Sequence, residues 1–370
     1  MHRTRCAKAF VVFPMLLSAS GVAQQPAAAP ITKLSQFEIN QFISSSGPTP
    51  RNVIDLDNNG QILLVCVAGT TRGQLQASGL AFAESQIHLL KTWRLLREND
   101  GVLRTAFPIL QGHDAQRLRS HSSGVAAVLG RDLEPDVAKL VSQLEAVGRR
   151  DNAYTILFSY ALDDLAWRRF REGGRLRERV LTADAPFWAG EVWAIYPPRD
   201  LAMGTNSISE KGVSLKVSWT ERAIPRMLPF VADLPTLVRL FEDYVNKGRV
   251  EDIRARTVFA PFHLFDAAGR LTVPVIDAAA NDSLHQSSEV ISAAIAEKLP
   301  TLLDLDGLTA EFKFRDGEQA LVVFYHELMW DLMDYWESKG IIRRPAAFVN
   351  PASASAADIA ALVFVVRAVR

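Results

Sequence analysis

The sequence has few cysteines, no excess charge and no long apolar run in its main body, and each shortage excludes a class of protein. Cys6 and Cys66 are the only cysteines among 370 residues, which excludes a fold held by several disulfides. Basic and acidic residues number 41 each, so the chain lacks the positive field that attracts nucleic acid. After the first two dozen residues, no segment of transmembrane length is free of charge.

Motifs of known catalytic mechanics are missing as well. The sequence contains no GxSxG, no P-loop, no GxGxxG after a predicted strand and no CxxC pair. We therefore expect no bound cofactor and favour a protein that is not an enzyme.

The first 23 residues have the pattern of a cleavable secretory signal. A basic start with Arg3, Arg5 and Lys8 precedes the apolar run Ala9–Leu17, and small residues at 21–23 suit a signal peptidase. An uncleaved membrane anchor is the alternative, but the run is shorter than the roughly 20 residues that span a bilayer. We expect export to the periplasm or the extracellular space.

Cleavage would change both the charge and the cysteine content of the chain. Loss of the three basic leader residues leaves 38 basic and 41 acidic residues, a net charge of about −3. Cys66 would remain as a single thiol, and its apolar surroundings indicate a small buried side chain rather than a nucleophile. Residues 24–33 are expected to form a flexible lead-in.

Local patterns predict a series of short elements over residues 34–110. Ser35 and Glu38 form a capping box, which predicts a helix running to about Ile43. Apolar residues at helical spacing and an Asn-Asp-Gly turn predict the elements that follow. These are a helix at Gln74–Ala77, a helix at Ser85–Leu96, a turn at 99–101 and a strand at Leu103–Leu110.

This order resembles the winged-helix regulators over about residues 60–110. Ala83–Trp93 stands in the place of the recognition helix and Arg97–Thr105 in that of the wing. The resemblance implies the fold but not DNA binding, because the recognition helix has few basic side chains and begins near Glu84. A second copy is expected at about residues 230–276.

The second copy belongs to a predicted internal duplication. Ile87 matches Ile253 and Pro108 matches Pro274, both at a spacing of 166 residues. The alternative is a chance likeness between two amphipathic helix–hairpin segments. Later in each repeat we predict a strand and then a long helix closed by glycine. The two strands are Tyr154–Phe158 and Ala320–Phe324, and the closing residues are Gly174 and Gly340.

The sequence therefore predicts a helix-rich α+β fold of two duplicated winged-helix-like α/β repeats around a central β-hairpin insertion. The insertion should contain strands at Val192–Tyr196 and Val213–Trp219. The tail from Asp358 should dock as a helix, although its VFVV run could equally be a strand. The predicted segments are a signal peptide at 1–23, the lead-in at 24–33, repeat one at 34–180, a β-rich connection at 181–225, repeat two at 226–345, and a linker and tail at 346–370.

The richest candidate site lies in the last long helix. His326, Glu327 and Asp331 could supply acid–base chemistry, and Glu327, Asp331 and Asp334 follow one helical face and could bind a metal ion. Trp330 stands where an HExxH motif has its second histidine, so the zinc motif is incomplete. The alternative is a solvated acidic face.

A basic run between residues 168 and 179 is a second candidate. A solvated helix end explains such a run most simply, and a site for an anionic partner is the alternative. Its members are Arg168, Arg169, Arg171, Arg175, Arg177 and Arg179.

Three functional hypotheses follow from these observations. The first is an exported binding or scaffold protein, with an unknown protein or small molecule as its partner. The second is a hydrolase or metal-dependent enzyme that uses His326, Glu327 and Asp331. The third, a DNA-binding regulator, requires an uncleaved leader.

Overall fold

The computed structural model describes residues 33–45, 47–225 and 233–367. The predicted signal peptide and nearly all of the lead-in lie outside these residues. The described chain combines helices with three small sheets, which confirms the α+β class. No helix among the described residues has both the length and the apolar character needed to cross a membrane.

Most of the described residues are helical. The α-helices are Pro50–Ile54, Asn59–Val65, Arg72–Ala77, Glu84–Thr92, His113–Asp132, Glu134–Ala146, Ala153–Ile156, Trp167–Glu172, Leu234–Lys247, Ile253–Phe259, Ser283–Leu302, Leu305–Phe312, Gly317–Ser338, Ala346–Val349 and Ala356–Ala360. Single turns of 3₁₀-helix occur at Leu34–Gln36, Arg150–Asn152 and Ala260–Phe262. Leu157–Ala166 is a π-helix, and Gly317–Ser338 is called the long helix below.

Ten strands form the three sheets of the described residues. They are β1 Glu38–Ser45, β2 Thr70–Thr71, β3 Leu96–Asn99, β4 Val102–Thr105, β5 Ile109–Gln111, β6 Trp188–Tyr196, β7 Met203–Glu210, β8 Val213–Thr220, β9 Val275–Asp277 and β10 Val363–Arg367. The strand orders are β1-β6-β5, β7-β8-β10-β9 and β2-β4-β3. β1 is antiparallel to β6 along its whole length, and β7 is likewise antiparallel to β8.

The predicted helix from Ser35 to Ile43 is wrong, because most of this segment is strand β1. The carboxylate of Glu38 does not close a capping box. It accepts hydrogen bonds from the backbone N–H of Arg199 at 2.9 Å and from Asn40 Nδ2 at 2.9 Å. Pairing with β6 therefore outweighs the local helix signal.

The two predicted strands Tyr154–Phe158 and Ala320–Phe324 are also wrong. The first runs into the π-helix and the second lies in the long helix. All of these residues are buried. A short, continuous apolar run is equally compatible with a buried strand and a helix buried on all sides, so the pattern could not separate the two.

The elements predicted between residues 70 and 105 are confirmed with small shifts. The two helices are Arg72–Ala77 and Glu84–Thr92, and β3 and β4 form the predicted hairpin. The second helix ends before the predicted Leu96, which is the first residue of β3. Asp100 and Gly101 have positive φ angles at its turn, as a tight hairpin requires. β4 ends at Thr105, short of the predicted Leu110. The resemblance to a winged helix stays a prediction.

The second half of the chain departs further from the predicted repeat. Two helices precede a single β-bridge between Phe265 and Leu271, and the next strand is only β9. β9 pairs in parallel with β10 rather than in a hairpin. The duplication stays a prediction.

Strands β7 and β8 of the predicted connection form one sheet with β9 and with β10 of the predicted tail, whereas β6 pairs with β1 and β5. β6 and β8 confirm the two predicted strands, but they lie in different sheets, so the predicted hairpin does not form between them. β8 pairs instead with β7, which lies between them in the sequence. The VFVV run is β10, so the strand alternative is right for it. β10 lies between β8 and β9, so this segment is an inner strand rather than an appended tail.

Candidate functional site

The candidate side chains of the long helix lie in different surroundings in the structure. Glu327 is wholly buried, and its Oε2 accepts hydrogen bonds from Arg119 Nε at 2.9 Å and from Arg199 Nη2 at 2.8 Å. Arg199 Nη2 also donates to Asp331 Oδ1 at 2.8 Å. Asp334 is exposed and pairs with Arg344 at 2.6 Å. Glu327 therefore does not belong to a solvated acidic face.

Glu38, Arg119, Arg199, Glu327 and Asp331 form what we call the buried ion network. Burial and the charge of Glu327 raise the pKa of Glu38, and burial raises that of Asp331. The two guanidinium groups occupy the space between the carboxylates where a cation would otherwise lie. Among the described residues, no three His, Cys, Asp or Glu side chains are grouped to hold a metal ion.

His326 faces a different space, a cavity of about 860 Å³ that we call the polar cavity. It lies among β1, the π-helix, the long helix and the β7–β8 hairpin. Its polar lining includes Asn40, Gln41, Arg51, Asp163, Asp164, Arg171, Arg179, Thr205, Ser207, Ser209, Ser214, Lys216 and His326. Its aromatic lining includes Phe42, Phe158, Trp167, Trp219 and Trp330.

Asp163 is the most perturbed acid of this cavity. Asp163 lies in the π-helix, and Nε1 of Trp167, one helical turn further along, donates a hydrogen bond to Asp163 Oδ1 at 3.1 Å. Burial raises the pKa of Asp163 to about 7. Near neutral pH the carboxyl group is therefore present in both protonation states, as a general acid or base requires.

His326 is an uncharged base at the same pH. Its Nδ1 lies 3.0 Å from the carbonyl oxygen of Val322, and a carbonyl only accepts, so Nδ1 carries the proton and Nε2 is the acceptor. The ring packs against Trp193 at 4.6 Å and Trp167 at 5.1 Å between centroids. Burial lowers the pKa of His326 to about 4.

The β7–β8 hairpin contributes a row of hydroxyl groups and one ammonium group. Ser207 faces Lys216 and Ser209 faces Ser214 across the two strands. Lys216 Nζ lies 2.6 Å from Asp164 Oδ2 and donates to Ser207 Oγ at 3.1 Å. These groups give one wall of the cavity both donors and acceptors.

The arginines of the basic run also lie in two different surroundings. Arg168 and Arg169 bind Glu289, and Arg177 binds Glu318. Arg171 and Arg179 instead line the polar cavity.

Of the catalytic candidates, the structure brings only His326 to the cavity. Asp163 was missed because its neighbourhood depends on β1, which the sequence predicted as a helix. The doublet Asp163-Asp164 directly after an apolar run was the available signal. Comparisons of the chain with protein-family models, curated proteins and solved structures give no match.

Substituting Asp163→Asn should stabilise the protein at alkaline pH. The pKa of Asp163 is about 7 when folded and near 3.8 when unfolded, so the folded state holds a proton that the unfolded chain releases, and stability falls as pH rises from about 4 to 7. Three pKa units correspond to about 4 kcal/mol, and water in the cavity should reduce the gain to about 2 kcal/mol at about pH 8. Urea denaturation of the parent and the variant at about pH 8 and about pH 4.5 measures the difference in stability, and we expect little difference at the lower pH.

Asp164→Asn is the matched control, since Asp164 forms an ion pair with Lys216, whereas Asp163 has an uncharged hydrogen-bond partner in Trp167. We expect it to leave stability unchanged or to lower it at alkaline pH. A loss of stability for Asp163→Asn at alkaline pH would contradict the raised pKa.

Proposed function

We propose that this chain is an exported binding protein that takes a small, hydroxyl-rich ligand of the saccharide type in the polar cavity. The supporting observation is the pairing of aromatic rings with a wall of hydroxyl, carboxylate and ammonium groups around about 860 Å³. Ligand cavities have about this volume and use a few placed polar groups to orient what they bind.

A sugar ring has an apolar C–H face and a rim of hydroxyl groups, and this lining suits both. Trp219, which is partly exposed, offers aromatic surface, while Ser207, Asp164 and Lys216 offer donors and acceptors. A purely apolar ligand would displace water from these groups without replacing the hydrogen bonds that the water makes, which is costly.

DNA binding receives no support from the segment that resembles a winged helix. Lys91 Nζ pairs with Glu98 at 2.6 Å, and Arg72 pairs with Glu98 and Glu84. Cations neutralised by neighbouring carboxylates contribute little to phosphate contacts.

Isothermal titration calorimetry with a panel of neutral and acidic monosaccharides and disaccharides tests the proposal. We expect at least one to bind, and Ser207→Ala to weaken it by about tenfold because a hydrogen bond to the cavity wall is lost. Ser338→Ala, an exposed hydroxyl at the end of the long helix, is the control and should bind as the parent does. Absence of binding across the panel, or equal binding by Ser207→Ala, would refute the proposal.

A second candidate is an acid–base enzyme acting in the same cavity. Burial moves the pKa of Asp163 up to about 7 and that of His326 down to about 4, and opposite shifts of this kind separate acid from base. Asp163 would donate a proton and Nε2 of His326 would accept one. Analysis of the titrated disaccharides separates the candidates, because a binding protein returns them intact, whereas an enzyme yields products that are lost in Asp163→Asn.

A further inference from the structure

Arg168, Arg169 and Arg177 of the basic run form ion pairs, whereas Arg179 packs on an aromatic ring. Its guanidinium carbon lies 3.6 Å from the centroid of the Phe42 ring. Over residues 33–45, 47–225 and 233–367, no carboxylate lies within ion-pair distance of it, whereas Arg168, Arg169 and Arg177 each have a carboxylate partner. Arg179 is half-buried at the wall of the polar cavity.

The packing around Arg179 fixes where its charged group lies. Its Cδ would lie only 3.0 Å from a Cβ placed on Gly190, so the stem runs closely over the backbone of β6. The Phe42 ring covers one face of the guanidinium, as cation–π packing does. The edge of the planar group, with its N–H donors, remains for a ligand.

The other charges of the cavity do not neutralise Arg179. Lys216 is balanced by Asp164, and Arg51 by Asp55 at 3.3 Å. Arg171 adds a second cation without a carboxylate within ion-pair distance among the described residues. Burial and the charge of Arg171 both lower the pKa of Arg179, so the guanidinium would gain from a nearby anion. Asp163 supplies at most part of a negative charge near neutral pH.

We infer that the ligand carries a carboxylate that pairs with Arg179, which makes it a sugar acid such as a hexuronic acid rather than a neutral sugar. The inference rests on the proposed function. A planar carboxylate matches the guanidinium fork with two parallel hydrogen bonds. A single negative charge also suits a site that Asp163 adjoins, because a doubly charged group would meet stronger repulsion from that carboxyl group.

Isothermal titration calorimetry at about pH 6 compares D-glucuronate and D-galacturonate with D-glucose and D-galactose. We expect the acids to bind at least about tenfold more tightly than their neutral counterparts, and Arg179→Met to abolish this preference. Methionine keeps an apolar side chain over Phe42. Arg177→Met is the matched control, because Arg177 is exposed and pairs with Glu318 outside the cavity, so the preference should persist.

Two further readouts keep the inference testable if Arg179→Met fails to fold. The preference of the unaltered protein should shrink as salt rises, since screening weakens the ion pair. It should also shrink at about pH 8, where Asp163 is ionised. Equal binding of acids and neutral sugars overturns the inference but leaves the proposed function standing, whereas binding of neither overturns both. A preference that survives Arg179→Met also overturns the role of Arg179.

Discussion

Replacing Glu327 with alanine is expected to lower the free energy of unfolding by about 3 kcal/mol. The substitution removes the wholly buried carboxylate that the half-buried Arg119 and Arg199 share, and taking one partner from a buried ion pair is among the costliest defects in a folded protein. Asp331 still accepts a hydrogen bond from Arg199. We therefore expect a loss of stability near the lower end of the roughly 3–5 kcal/mol that breaking a buried ion pair costs. Urea denaturation at neutral pH measures the change.

Glu172→Ala is the control for that experiment. Glu172 also interacts with two arginines, Arg168 and Arg169, but its side chain is 55% exposed. Solvent-exposed ion pairs contribute about 0–1 kcal/mol, so this variant should unfold close to the parent. Equal stability of the Glu327 and Glu172 variants would show that the buried ion network does not stabilise the fold.

Gly190→Ala is the second substitution with a large expected effect. Gly190 has a φ of +123°, and an added Cβ would lie 2.1 Å from the carbonyl oxygen of Phe42 on the paired strand β1. Because neither backbone can shift without breaking the ladder, we expect a loss of at least about 3 kcal/mol. Any displacement of Phe42 that relieves the clash should also disturb the cavity wall beneath Arg179.

Thermal melts of the purified variants check this expectation, with Gly124→Ala as the control. Gly124 lies on an exposed face of the helix His113–Asp132, and a Cβ there meets nothing within 4 Å. Alanine favours helix by about 1 kcal/mol over glycine, so that variant should melt slightly higher than the parent. A Gly190→Ala protein that melts with the parent would mean that β1 and β6 separate easily at this point.

Elements with their own local signal could be predicted from the sequence. The hairpin turn at Asp100-Gly101 follows from residues that tolerate positive φ angles, and the helix Glu84–Thr92 follows from its apolar spacing. The buried runs Tyr154–Phe158 and Ala320–Phe324 carry no such signal. A segment covered on all sides is apolar on all sides, and this erases the periodicity that distinguishes helix from strand.

The candidate site was predictable only in part, because segments remote in the sequence decide what each side chain meets. His326 and Glu327 are adjacent in sequence, yet they face the polar cavity and the buried ion network respectively. Adjacent residues on a helix point in directions about 100° apart, but which direction meets an arginine depends on remote segments. Arg119 lies 208 residues from Glu327 along the chain.

The sequence by itself determined the α+β class, the hairpin between β3 and β4, and the strands β6 and β8, because turn chemistry and short-range apolar patterns act between neighbours. Tertiary structure decided that Ser35–Ile43 mostly forms a strand, that the VFVV run is an inner strand, and that Asp163, Arg179 and His326 share a cavity. Burial, ion pairing and strand pairing join residues far apart in the chain, and their energies outweigh local preference. The pKa shifts of Asp163 and His326 exist only once the folded protein has removed water from around them.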